Sequence, residues 1–276
     1  MNASQRETYW TKFERLRRGL DTKYSSLFQK AISKEMRKVA RDLQLMGPSA
    51  TLSMMGSYAW SDELMKIMNE LYRETAVIFG NASYRAVRNQ SRKAADPFGL
   101  NTDFISQIVQ FLALYGFQLI ADMTQTSKKK LTDIITQGVQ EGLGIDEMVR
   151  IITSDDELGY SAMRAKRIAR TEVMRASNYA ALQGAKSHNF EVDKVWIAAR
   201  DSRTRRIPRN TYDHLHMDGQ QVAYDQPFTS TGKKGDTVLA VAPGDPTAPA
   251  GFTINCRCAI GFVPKRDANG RLIMKR

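Results

Sequence analysis

The sequence predicts an α+β protein, with a domain of long helices over residues 1–160, a small mixed α/β domain with short strands over 161–264, and a polar tail over 265–276. Three observations carry this. Through the first part, apolar residues recur at three- and four-residue steps, the spacing of a buried helix face. From Asn189 onward the apolar runs are short and alternating, and clusters of Gly, Pro, Asp and Thr separate them, as strands and loops require. A chain of 276 residues also exceeds one ordinary core, so two are expected.

In residues 3–46, Phe13, Leu16, Leu20, Tyr24, Leu27, Phe28 and Ala31 form an apolar stripe. This predicts an amphipathic helix or helix pair, with Gly19 as the candidate bend and Gly47-Pro48 as its end. The opposite face carries Lys12, Arg15, Arg17, Arg18 and further cations through Arg41. It reads either as solvated surface or as a contact for DNA. Ser61-Asp62-Glu63 caps a second helix that runs to about Lys93, with Leu64, Ile67, Met68, Leu71, Val77 and Ile78 facing inward. Asp96-Pro97-Phe98-Gly99 breaks the chain, and Asn101-Thr102-Asp103 caps a third helix holding the apolar run Ile105–Ile120. The polar stretch Thr124–Lys130 is expected to divide that helix from a fourth, Leu131 to about Gly142. Lys128-Lys129-Lys130 then falls in a basic turn, either solvated or touching phosphate.

Gly144-Ile145-Asp146-Glu147-Met148 opens a short helix, and Ser154-Asp155-Asp156-Glu157 leads into the last long one, Ser161 to about Lys186. At about 100° per residue, Ala165, Ile168, Ala169, Ala176, Tyr179 and Ala180 share one face with Glu172 at its centre. A carboxylate on a packing face is costly unless a cation meets it. Glu172 is therefore expected to pair with an arginine of the following domain, Arg203 or Arg205; the alternative is a half-open face with Glu172 in water.

Strands are expected at Val192–Ala198, Gln221–Tyr224, Thr237–Ala242 and Phe252–Val263. The last contains both cysteines of the chain. On an extended strand Ile254, Cys256, Cys258 and Ile260 face one way and Asn255 and Arg257 the other. Three readings compete for the two thiols. They are small buried hydrophobes, or they form a disulfide across one residue, which is strained and staples little chain, or they are half of a structural zinc site. In the third case His214 is the further ligand and His216 or Asp201 the fourth, closing a site that knits the last strand to the middle of its domain. Upstream, Arg203, Arg205, Arg206 and Arg209 with Thr204 form a compact basic loop. The planar fork of arginine suits phosphate and carboxylate alike. Arg203 and Arg205 read as an internal clamp on Glu172, Asp201 and Asp245, and Arg206 and Arg209 as an exposed contact for a partner or for a DNA backbone, without base specificity.

Lysine and arginine outnumber acids 41 to 29, a net charge of +12, which favours a polyanion or an acidic protein surface as neighbour. The polar start Asn2–Glu7 holds no signal-peptide core, and the run Ile105–Ile120 is interrupted and too short to span a bilayer. No membrane association is expected, and two cysteines fit a reducing cytosol. Enzyme templates fail in turn. No His-Glu-x-x-His, Gly-x-x-x-x-Gly-Lys or Gly-x-Ser-x-Gly occurs. A nuclease reading of Asp213-His214 lacks a later histidine, since none follows His216, and Phe228–Gly232 lacks the Glu-x-Glu of an ADP-ribosyltransferase. No enzymatic activity is expected.

The order of motifs is specific. Ala169-Arg170-Thr171-Glu172 on a helix is followed by Arg203-Thr204-Arg205, by His214 five residues before Gly219, by Phe228, and by Asn255-Cys256-Arg257-Cys258. Over about 160–264 this resembles the C-terminal domain of the Mu F-like minor head proteins of tailed phages. One departure is the longer, proline-bearing connection from Arg206 to Asp213. The resemblance implies a minor capsid protein of head morphogenesis, assembled in the host cytoplasm and placed inside the virion at the portal vertex. Its implied partners are the portal protein, capsid or scaffold proteins and packaged double-stranded DNA, and its implied role is to assist assembly and DNA packaging or ejection. The alternatives are a non-specific DNA-binding protein and a zinc-dependent enzyme.

Overall fold

The computed structural model describes residues 1–58, 61–91, 103–154 and 159–275. Helix α1 spans Ala3–Ser53 and passes Gly19 without interruption. At Gly47-Pro48, where its end is expected, the helix is interrupted, and a second helical stretch follows to Ser53. Gly47 takes φ 78° and ψ 174°, which absorbs the irregularity, and Pro48 opens a new helical turn where its missing N–H costs nothing. Helix α2 is Ser61–Gln90.

Helix α3 runs unbroken over Asp103–Gln140. The expected division at Thr124–Lys130, and with it a lysine turn, is absent. Polarity alone does not end a helix. No glycine or proline lies between Phe117 and Gln137. The Thr126 hydroxyl donates to the Asp122 carbonyl at 2.8 Å, and Lys129 pairs with Asp133 one turn on at 3.1 Å. Helix α4 is Ile145–Thr153 and α5 is Gly159–Lys186. The expected break at Asp96–Gly99, the cap residues Asn101 and Thr102, and Asp155-Asp156-Glu157 lie outside the described residues.

The strands are β1 (Val192–Ile197), β2 (Gln221–Ala223), β3 (Phe228–Thr231) and β4 (Thr237–Ala240); a short helix α6 (Ala250–Thr253) precedes β5 (Ala259–Pro264). They form an antiparallel sheet in the order β2-β1-β5 and a separate β3-β4 pair, of which β3 was not expected. Trp196 lies opposite Ile260, and Ile197 opposite Ala259. The cysteine segment is not the strand that alternation suggests. Helix α6 takes up residues 250–253, and a turn follows in which Asn255 has φ 59°, a left-handed conformation that asparagine tolerates better than most residues.

The chain divides into two compact units that interleave in sequence and do not part at residue 160. One contains Met1–Asp21, Leu71–Phe111 and Arg170–Arg276; the other contains Thr22–Glu70 and Leu112–Ala169. The cause is helix length, since α1, α2, α3 and α5 each contribute residues to both units. The first unit buries Tyr72, Phe79, Phe190, Trp196, Phe228, Phe252 and Phe262. Within it, a Cβ at Gly184 would stand 2.3 Å from the Gly80 carbonyl oxygen, so α5 and α2 approach backbone to backbone. The expected polar tail is docked: Lys275 N–H donates to the Asn189 carbonyl at 2.9 Å, and Met274 bridges to Phe190. The second unit buries Tyr24, Phe28, Val39, Leu43, Met68, Leu131, Ile135 and Ile152. Among the described residues no helix is long and apolar enough to cross a membrane.

Candidate functional site

The site is built in the first unit around the turn that joins α6 to β5. The left-handed Asn255 swings the backbone round so that both cysteine side chains enter the interior, where Cys256 is 3 % and Cys258 2 % exposed. There they meet His214, whose Nδ1 lies 3.4 Å from Cys256 Sγ and 3.6 Å from Cys258 Sγ. The three ligand atoms all lie within 4.8 Å of one another. The Cys258 N–H points at Cys256 Sγ, 3.3 Å away. Hydrogen bonding from the Cys258 thiol, together with the adjacent imidazole, holds the Cys256 thiol well below its ordinary value, while burial pushes Cys258 well above it.

His214 arrives from the long connection, and that connection closes on itself. His214 N–H and Leu215 N–H both donate to the Arg205 carbonyl, at 3.0 and 3.1 Å. The extra residues Arg206–Asp213 are thus an excursion that returns, leaving Arg205 and His214 as neighbours. The imidazole packs edge-on against Trp196 (centroids 5.4 Å apart) and Phe252 (4.4 Å). Its Nε2 is buried without a hydrogen-bond partner among the described residues, so packing fixes the ring.

Neither proposed fourth ligand joins this cluster. His216 is exposed, its N–H capped by Asp213 at 2.8 Å. The Asp201 carboxylate accepts from Arg257, from Arg203 N–H at 2.9 Å and from the Thr204 hydroxyl at 3.3 Å. Burial pushes that carboxyl up, but Arg257 and the two further donors pull it below its ordinary value.

The turn is held from behind by residues that the sequence reading missed. Arg17 was placed on the charged outer face of α1, yet it is 2 % exposed. Its guanidinium donates to the carbonyls of Arg257 (3.3 Å) and Cys258 (3.1 Å), to Ser177 Oγ (2.8 Å) and to Asn178 Oδ1 (3.1 Å). Trp10 Nε1 donates to the same Arg257 carbonyl at 2.9 Å. Asn178 completes the seat: Nδ2 donates to the carbonyls of Pro243 and Cys258, and Oδ1 accepts from Ile260 N–H at 3.0 Å. Asn178 carried a signal, a second polar residue among the alanines of α5. Arg17 carried none, because its neighbours on α1 are also cations.

The Ala-Arg-Thr-Glu helix meets the same turn. Arg170 donates to Asn255 Oδ1 at 2.9 Å, and the Thr171 hydroxyl accepts from Asn255 N–H at 2.9 Å. Glu172 is buried, but its cation is neither Arg203 nor Arg205. It pairs with Arg175, one turn along α5, and accepts from Tyr72 Oη at 3.0 Å. A cation at i+3 on the same face reaches the carboxylate without leaving its helix. Arg175 in turn donates from Nε to the Gly244 carbonyl at 2.8 Å, which ties the Pro243-Gly244-Asp245 turn to α5. Gly244 has φ 88°, and a Cβ there would stand 3.0 Å from the Arg175 Cα. Arg205 donates instead to the Ile254 carbonyl, and Arg203 is exposed.

Of the residues assigned to a DNA or partner contact, Arg206, Arg209, Lys129 and Lys130 are exposed. Arg209 also donates to the Thr204 carbonyl at 2.8 Å, and Lys128 to the Gly56 carbonyl at 3.0 Å. A small pocket against the thiols is lined by Ala199, Arg203, Thr204, Arg205 and Asn255 together with Arg257 and the three cluster residues.

Residues 129–261 match the model of the family described as Phage Mu protein F like protein. The resemblance read from Arg170-Thr171-Glu172 to Cys258 is borne out, and the match begins farther upstream, within α3. It points to a phage head morphogenesis protein and so to a component of the virion. Comparison with curated proteins and with solved structures gives no match.

Proposed function

We propose that this protein is a minor capsid protein, lying inside the phage head near the portal and assisting head assembly and the packaging or ejection of DNA. The family match over 129–261 carries the reading. The site supports it: the family's motif residues lock α5, the Arg203–Arg205 loop and the cysteine turn into one another, as an attachment module requires. The partners are the portal protein, capsid or scaffold proteins and non-specifically bound double-stranded DNA, met by a chain of net charge +12 whose Arg206, Arg209, Lys129 and Lys130 face solvent.

The proposed role is non-enzymatic, in keeping with a family of structural phage head proteins. The test is to assemble heads with and without this chain and to quantify it in purified particles. The reading expects the protein in mature heads at low copy, with defective or empty heads accumulating when it is missing. Wild-type yields of DNA-filled heads in its absence would overturn it. A dedicated DNA-binding protein is the second reading, favoured only by the charge. Filter binding at increasing salt separates it, because such a protein binds tightly with a steep salt slope.

A further inference from the structure

We propose that His214, Cys256 and Cys258 bind one zinc ion, through Nδ1 of the histidine and the two sulfurs. The distances carry the proposal. With Zn–S near 2.3 Å and Zn–N near 2.0 Å, tetrahedral geometry sets each nitrogen–sulfur edge at about 3.6 Å. The two nitrogen–sulfur edges here are 3.4 and 3.6 Å, close to that value. Burial as small hydrophobes does not by itself require three donor atoms to converge within 4.8 Å of one another.

Charge supports the same conclusion. Two thiolates and one divalent cation with a neutral imidazole sum to zero, the only total that a site whose three residues are 1–3 % exposed accommodates cheaply. The donors around them suit thiolate as well. Cys258 N–H donates to Cys256 Sγ, and the Arg17 guanidinium lies against the Cys258 carbonyl. Asp201 and His216 stand outside the cluster, so among the described residues three ligands converge, and the fourth position would open on the small pocket that Arg203, Thr204 and Arg205 line. The ion would join two segments 42 residues apart, the turn after α6 and the close of the long connection.

The full chain, purified under reducing conditions without chelator, should carry about one zinc ion. After removal of zinc, cobalt(II) added to the folded wild-type protein should give the ligand-field bands of a tetrahedral site and a thiolate-to-cobalt charge-transfer band. His214→Ala, Cys256→Ser and Cys258→Ser should each weaken or abolish both signals. Because those variants can fail to fold, the cobalt spectrum of the wild type decides by itself. Folded wild-type protein that holds no zinc and gives no thiolate-to-cobalt band would overturn the proposal, as would full zinc retention by a folded Cys256→Ser variant.

Discussion

At the scale of single residues, Glu172, Arg175 and Lys194 are buried charges held by fixed partners, and each can be tested alone. Glu172, Arg175 and Tyr72 form a closed network with side chains 4 and 5 % exposed at the ion pair. Removing one partner leaves the other charged and unpaired, so Glu172→Ala should lose about 3–5 kcal/mol in denaturant unfolding, and Tyr72→Phe about 1 kcal/mol. Equal, small losses for both would show that the network is open to water. Lys194 gives a pH test. Its ammonium sits over Phe228 and donates to the Val241 carbonyl at 2.9 Å. Burial pushes it down to about 8 from 10.5, against the pull of Asp245 and Asp225. Between those values the unfolded chain holds more protons than the folded one, so stability should climb from pH 8 to 10.5 as the penalty fades. Lys194→Met should flatten that climb, and a wild-type profile already flat would contradict the assignment. Cys256, Cys258 and His214 could be singled out in the sequence because soft ligands are rare there. Arg17 could not, because one inward arginine among nine outward cations has no signature until Arg257 and Cys258 supply carbonyls to meet it.

At the scale of elements, apolar periodicity located the helices, and polarity misjudged where one of them ends. The glycine-proline step at 47–48 does interrupt α1, at the non-helical Gly47, whereas Thr124–Lys130 reads as a linker yet continues α3 through local hydrogen bonds. Lys129→Pro discriminates. In a turn it would be tolerated, whereas inside α3 it should cost about 3 kcal/mol and lower Tm accordingly. The cysteine segment misled in another way. Its apolar alternation mimics a strand, whereas Asn255 at φ 59° turns it, and tertiary hydrogen bonds with Thr171, Arg17 and Asn178 hold that turn. Such contacts, 80 or more residues apart in sequence, leave no local pattern to read.

At the scale of the whole chain, the change from helix to strand grammar near residue 187 suggested two domains in succession. The packing instead draws Met1–Asp21 and Leu71–Phe111 into the unit that holds the strands. Trp10 and Arg17 of α1 reach the cysteine turn, and Tyr72 of α2 reaches Glu172. A fragment of residues 161–276 alone should therefore fail to give a cooperative unfolding transition, while the full chain shows one for this unit. An independently stable fragment would show that α1 and α2 are accessories.

Attachment within a phage head, with no turnover, is the function proposed for this construction. It is tested most directly by reconstructing intact particles without imposed icosahedral symmetry and labelling this chain. The account predicts density for it at one vertex only, on the inner side of the portal. Label spread evenly over all vertices, or absent from DNA-filled particles, would contradict it.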